Sequence, residues 1–196
     1  MTPEREHTLS RVLQRRQGNL TVVLENVSDP HNISAVMRTC DAVGVWEIYV
    51  LNTRIPRHKK WGSKSSSSAD KWIQVRQFEQ AEECFRAVRQ RYERVLATSL
   101  SEDAQDLYSQ DLTCSTALVF GNEHSGVSAE VRALTDGSVI IPQMGIIRSL
   151  NISVACAVCL YEALRQKTLA GHYRKPGLNP EAFQQTALQW GLPSTS

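Results

Sequence analysis

In the stretch Val139-Ile140-Ile141-Pro142-Gln143-Met144-Gly145-Ile146-Ile147-Arg148-Ser149-Leu150-Asn151-Ile152-Ser153, a short buried strand empties into a glycine-bearing turn. Ser149 or Asn151 then opens a helix, an apolar-periodic run that ends around Gly171. Such a layout leaves backbone N–H and C=O groups without partners beside a helix N-terminus, where main-chain hydrogen bonds can hold a polar small molecule. The expectation is a turn built to bind, with Gly145 letting a ligand approach the backbone closely.

Upstream, short apolar runs alternate with helical patterns. Residues 20–24, 46–51, 71–78, 95–98, 117–120 and 138–141 read as strands, and residues 7–17, 33–43, 79–92 and 128–135 as helices, with Gly44 stopping the second. Most of these strands are apolar throughout instead of alternating. That favours an α/β fold with a mainly parallel sheet covered by helices on both faces. Ligands in such sheets bind beyond the carboxyl ends of the strands, so the loops 29–32, 98–101, 121–126 and 143–151 are expected along one rim. The chain divides into a basic N-terminal helix (1–18), one α/β domain (19–171) and a tail with a short helix (172–196). The serine-rich basic segment 52–70 reads as a mobile loop.

A hydrophobic fraction of 41% and a charged fraction of 21% are ordinary for a globular protein. Residues 1–16 are polar and basic, and no apolar run reaches membrane-spanning length, so a soluble cytoplasmic protein is expected. The five cysteines are scattered and odd in number, which favours free thiols, and Cys156-x-x-Cys159 sits in an apolar helix where core packing is the simpler reading. The net charge of +2 hides four basic clusters: Arg11, Arg15 and Arg16; Arg54, Arg57, Lys59, Lys60 and Lys64; Arg86, Arg89, Arg91 and Arg94; and Arg165, Lys167, Arg174 and Lys175. Segregated cations suit a polyanion-binding face, because each neutralised phosphate releases counterions. Arg11, Arg15, Arg16, Arg165, Lys167 and Arg174 are the candidate nucleic-acid contacts.

The loop Gly121-Asn122-Glu123-His124-Ser125-Gly126 lacks the Lys and Ser or Thr that a Walker A loop needs after its second Gly, and no G-x-G-x-x-G occurs in the chain. Asn32, read as a helix cap, precedes Arg38 by nearly two turns. Taken in order after three strands, Asn32-x5-Arg38, Gly121-x-Glu123-x-x-Gly126 and Ser149-Leu150-Asn151 resemble the three motifs of the SPOUT superfamily of RNA methyltransferases. The form is that of its TrmH-type tRNA ribose 2′-O-methyltransferases, and the likeness runs from about Gln17 to Pro176.

That resemblance implies a C-terminal trefoil knot, a homodimer, S-adenosylmethionine as cofactor and no metal. It places the cofactor on Thr98, Gly121, Ile141, Met144, Ser149 and Leu150, largely through backbone groups, and gives Asn32, Arg38, Glu123 and Asn151 the catalytic and supporting roles. Arg148 departs from the glutamine usual in close relatives. The implied reaction is 2′-O-methylation of tRNA at the D-loop guanosine, position 18. Ribosomal RNA methylation, a non-catalytic RNA-binding protein of the same fold and, most distantly, a nucleotide hydrolase are the alternatives. Arg38 takes the activating role in the family, but a guanidinium stays protonated at neutral pH. The reading is therefore that Arg38 grips an RNA phosphate beside the 2′-hydroxyl, so that a phosphate oxygen or a transiently neutral guanidine takes the proton. Glu123 would orient Arg38 or the cofactor.

Overall fold

A computed structural model describes residues 1–58 and 69–193. Most of the serine-rich segment expected to be mobile lies outside the described residues. Seven strands, β1 (Leu20–Glu25), β2 (Glu47–Leu51), β3 (Gln74–Phe78), β4 (Arg94–Thr98), β5 (Gln105–Asp106), β6 (Thr116–Phe120) and β7 (Gly137–Ile140), form one sheet in the order β3-β2-β1-β6-β4-β7-β5. All six neighbouring pairs are parallel. The helices are α1 (Pro3–Gln14), α2 (Pro30–Val43), α3 (Ala81–Arg89), α4 (Ala129–Arg132), α5 (Ile152–Leu169) and α6 (Pro180–Gln189). None among the described residues is long and apolar enough to cross a membrane.

Successive strand residues bury on opposite faces. Leu20, Val22 and Leu24 of β1 pack beneath α2 and α5, against Ile33, Met37, Cys156 and Leu160, while Val23 joins Phe85 and Val88 of α3 and Val131 of α4 on the other side. Burial on both faces is why the strand sequences read as unbroken apolar runs. The expected core role of Cys156 and Cys159 fits their complete burial, which also pushes the Cys159 thiol up to about 12. Strand order then builds the site. Strand β6 is inserted between β1 and β4, and β7 between β4 and β5, so the carboxyl ends of β4, β6 and β7 stand side by side, with Ala97 opposite Val119 and Thr98 opposite Val139.

Helix starts follow local chemistry, with one correction. Helix α2 is capped by Asp29, whose side chain accepts from His31 N at 2.8 Å, not by Asn32. Pro30 takes the first helical position, where its fixed φ and missing N–H cost nothing, and Asn32 is left in the first turn with its side chain free for another task. Asn151 caps α5, accepting from Ser153 N at 2.9 Å and Ser153 Oγ at 2.6 Å. Helix α1 begins at Pro3, earlier than expected, and its Leu9 and Leu13 share one apolar cluster with Ala182 and Ala187 of α6, the flanking Leu178 and Trp190, and Trp46, so the two terminal helices are joined.

Two expected RNA contacts are internal instead. Arg16 is fully buried: Nη1 donates to Val45 O at 3.0 Å and Asp41 O at 3.3 Å, and Nη2 to Asp41 Oδ1 at 2.5 Å and Trp72 O at 3.3 Å. Lys167 is equally buried, its Nζ donating to Thr113 O at 3.0 Å and Cys114 O at 3.1 Å, and burial draws its pKa down to about 8. A buried cation must find acceptors, and these two cross-link separate parts of the chain. Three of the four arginines in the cluster around α3 are similarly committed. Arg89 pairs with Asp136 at 2.5 Å, Arg91 lies 3.5 Å from buried Glu47, and Arg94 donates to Gln110 and Asp111 O. Arg11, Arg15, Arg165 and Arg174 stay exposed, with Arg165 paired to Glu162.

Candidate active site

A cavity of about 420 Å³ opens at the carboxyl ends of β4, β6 and β7. Thr98, Gly121, Ile141, Ser149 and Leu150 all line it, so five of the six residues expected at the cofactor come together from three loops distant in sequence. Met144 does not line the cavity and is 96% exposed. Phe120, Val139, Ile141 and Ile152 give the cavity an apolar wall, while serines and Asn122 supply polar groups, a mix suited to a small ligand with a flat ring and a polar end. Thr98 Oγ1 donates to Val119 O at 2.9 Å, tying β4 to β6 at the mouth.

Close approach in this site belongs to Gly121, not to Gly145. A Cβ on Gly121 would lie 2.0 Å from Gly126 C and 2.1 Å from Val127 N, whereas one on Gly145 meets nothing within 4 Å. The turn after β6 folds back so tightly, with Asn122 N and Gly126 N each bonded to the other residue's carbonyl at 3.1 and 2.9 Å, that only hydrogen fits at Gly121.

Glu123 stands on this turn and reaches across to α2. Its Oε1 accepts from Asn32 Nδ2 at 2.9 Å and Asp29 N at 3.2 Å, and its Oε2 from Ser28 Oγ at 2.9 Å and Ser28 N at 3.1 Å. Asn151 Nδ2 donates to Asn32 Oδ1 at 3.2 Å, closing a chain that joins β6, α2 and α5. Partial burial would raise the Glu123 pKa, but the donors from Asn32, Ser28 and nearby backbone N–H groups outweigh it and hold the carboxyl at about 2. The group is thus an anion with its acceptor capacity taken up, a brace and not a proton acceptor. Its partners belong to the turn that starts α2, the helix that carries Arg38. Arg38 itself is exposed on α2 and, like Asn32 and Asn151, lies outside the cavity lining.

Sequence reading missed Ser28 and Asn122. Asn122 Nδ2 donates to Asn26 O at 2.8 Å, and its Oδ1 accepts from His124 N at 2.9 Å, shaping the turn from within. The polar loop 26–32 and the residue beside Glu123 were the available signals. Arg132, which lines the cavity from α4, had none.

Residues 19–161 match the SpoU rRNA Methylase family. The tRNA (guanosine(18)-2'-O)-methyltransferase of Thermus thermophilus is 45% identical over 191 residues, spanning 96% of this chain and 96% of that protein. The fold superposes on the A. aeolicus TrmH/SpoU tRNA modifying enzyme with a TM-score of 0.88 at 35% identity, covering 95% of this chain and 94% of that one. It also superposes on the SpoU methyltransferase AviRb from Streptomyces viridochromogenes in complex with AdoMet, with a TM-score of 0.71 at 28% identity over 82% of this chain and 62% of that one. Three motifs brought to one rim of a parallel sheet, a family match over most of the chain and near full-length relatives agree: the chain belongs to the SpoU rRNA methylase family.

Proposed function

We propose that this protein transfers a methyl group from S-adenosylmethionine to the ribose 2′-oxygen of a tRNA guanosine, position 18 in the D-loop. The observation that carries this reading is likeness along 96% of the chain to an enzyme of that activity, with Glu123 of the cavity lining bonded to Asn32 and Asn32 to Asn151. Thr98, Gly121, Ile141, Ser149 and Leu150 would hold the cofactor, whose volume and ring suit the cavity's size and apolar wall; when bound, it supplies an electrophilic methyl group. Arg38 grips an RNA phosphate beside the reacting hydroxyl, so that a phosphate oxygen accepts the proton, and Glu123 and Asn32 hold the helix that presents it.

The exposed arginines Arg11, Arg15, Arg165 and Arg174 are the tRNA contacts in this reading. The C-terminal part of the domain carries the trefoil knot of the family in this reading, consistent with the insertion of β6 and β7 between earlier strands. The protein works in the cytoplasm as a homodimer. The family's description names ribosomal RNA, so the deciding experiment offers both substrates. Purified protein is incubated with labelled adenosylmethionine and either unmodified tRNA or ribosomal RNA, and nuclease fragments are analysed by mass spectrometry. The expected product is 2′-O-methylguanosine in the D-loop fragment. Methylation confined to ribosomal RNA, or placed on a base, overturns the assignment.

A further inference from the structure

The cavity carries more positive charge than methyl transfer itself requires. Arg132 lines it from the last position of α4, and Arg148 from the turn ahead of α5. The acid in the same lining, Glu123, already has its oxygens taken by Ser28, Asp29 and Asn32. Neither arginine forms a salt bridge among the described residues. Asp103, which is not part of the lining, acts on Arg132 only as a nearby charge. The cavity therefore has an apolar wall suited to a ring and two guanidinium groups suited to an anion.

We infer that Arg132 and Arg148 form a carboxylate-binding pair that seats the amino-acid end of the adenosylmethionine and so fixes which way round the ligand lies. This rests on the proposed function. The carboxylate is the one anionic group of that ligand, since its adenine and ribose are neutral and its sulfonium and ammonium groups are cations. A guanidinium offers parallel N–H donors that match a carboxylate in plane. Orientation matters because the same cavity must present the methyl group toward the Asn32, Glu123 and Asn151 side. An RNA phosphate would satisfy the same cations, and both side chains are exposed, but unlike the exposed basic residues of α1 and the C-terminal segment they belong to the lining of the cavity.

Calorimetric titration of the wild type, Arg132→Gln, Arg148→Gln and the double variant separates the possibilities. The ligands are adenosylmethionine, adenosylhomocysteine and 5′-methylthioadenosine, which keeps the adenosyl group and sulfur but lacks the amino-acid end. Each single variant is expected to bind the first two ligands several-fold more weakly. The double variant should lose about tenfold or more for both while its affinity for methylthioadenosine stays within about twofold. Thermal melting confirms that the variants are folded. Equal losses on all three ligands, or a single variant with wild-type affinity, overturn the pair. Intact adenosylmethionine affinity with weakened tRNA binding reassigns the arginines to RNA phosphate, and so overturns it too. A wild type that binds none of the three ligands sinks the proposed function itself.

Discussion

Glu123 shows how far a single side chain can be read. Its presence in a glycine-bounded loop was legible, and so was its place beside Asn32 and Asn151 once three motifs were seen in order. Its donors Ser28 and Asp29 were not legible, because which side chain meets a carboxylate across a sheet is decided by strand order and not by spacing along the chain. The carboxyl is held at about 2, below its ordinary 4.5, so its stabilising contribution is complete above about pH 4.5 and is lost as pH falls toward 2. Denaturant melts of wild type and Glu123→Gln should therefore differ at pH 7, with the gap closing below pH 4.5; a constant gap would contradict the braced anion. Arg16 teaches the reverse lesson. In sequence it is one more cation of a basic cluster, yet it donates to three carbonyls and to Asp41 from a fully buried position. Arg16→Ala should cost about 3 kcal/mol of folding stability by chemical denaturation, since it strands buried acceptors, while Arg11→Ala should cost next to nothing. Arg38→Ala tests the proposed chemistry at the same scale. Single-turnover methyl transfer should fall by at least about a hundredfold with adenosylmethionine affinity unchanged; near-normal turnover would remove Arg38 from the reaction.

At the scale of elements, the strands were the readable part. Six of the seven were legible, most plainly β1, β2 and β6, where burial on both faces leaves little room for polar residues, whereas β5 is two polar residues, Gln105 and Asp106, held on the sheet edge only by pairing with β7. Composition carries no sign of such a strand. The turn after β6 was placed correctly, but its demand for glycine was assigned to the wrong loop. Glycine-bearing sequence near a helix start looks the same whether the backbone is crowded or open, and here crowding is at Gly121. Gly121→Ala should force the turn apart, lowering adenosylmethionine affinity by about tenfold or more and destabilising the fold by about 1–3 kcal/mol, as overpacking does. Gly145→Ala, placing its methyl in open space, should leave the melting temperature unchanged. Calorimetry and thermal melts on the two variants decide it, and equal effects would show that the glycine-bounded turn is not the crowded one.

For the whole molecule, strand order decides what the sheet can do, and it is the least legible feature of the sequence. Local patterning announces each strand but not its neighbour, so the insertion of β6 and β7 between earlier strands was not legible in the sequence. The same molecule leaves apolar side chains uncovered along α5 and the loop before it: Ile146 is 98% exposed, Ile147 73%, Val154 48% and Tyr161 53%. Val154 and Tyr161 are seven residues apart on α5 and so share a helix face. Exposed apolar side chains of this kind, next to the proposed site, are what an isologous interface would cover. The protein is therefore expected to sediment as a homodimer at micromolar concentration. Val154→Glu combined with Tyr161→Glu should place four carboxylates in that interface and shift the protein to monomer, with methyl transfer lost alongside. Sedimentation velocity paired with the tRNA assay gives the answer. A wild type that sediments as a fully active monomer, or a double variant that stays dimeric and active, would show that this face is not where two copies meet.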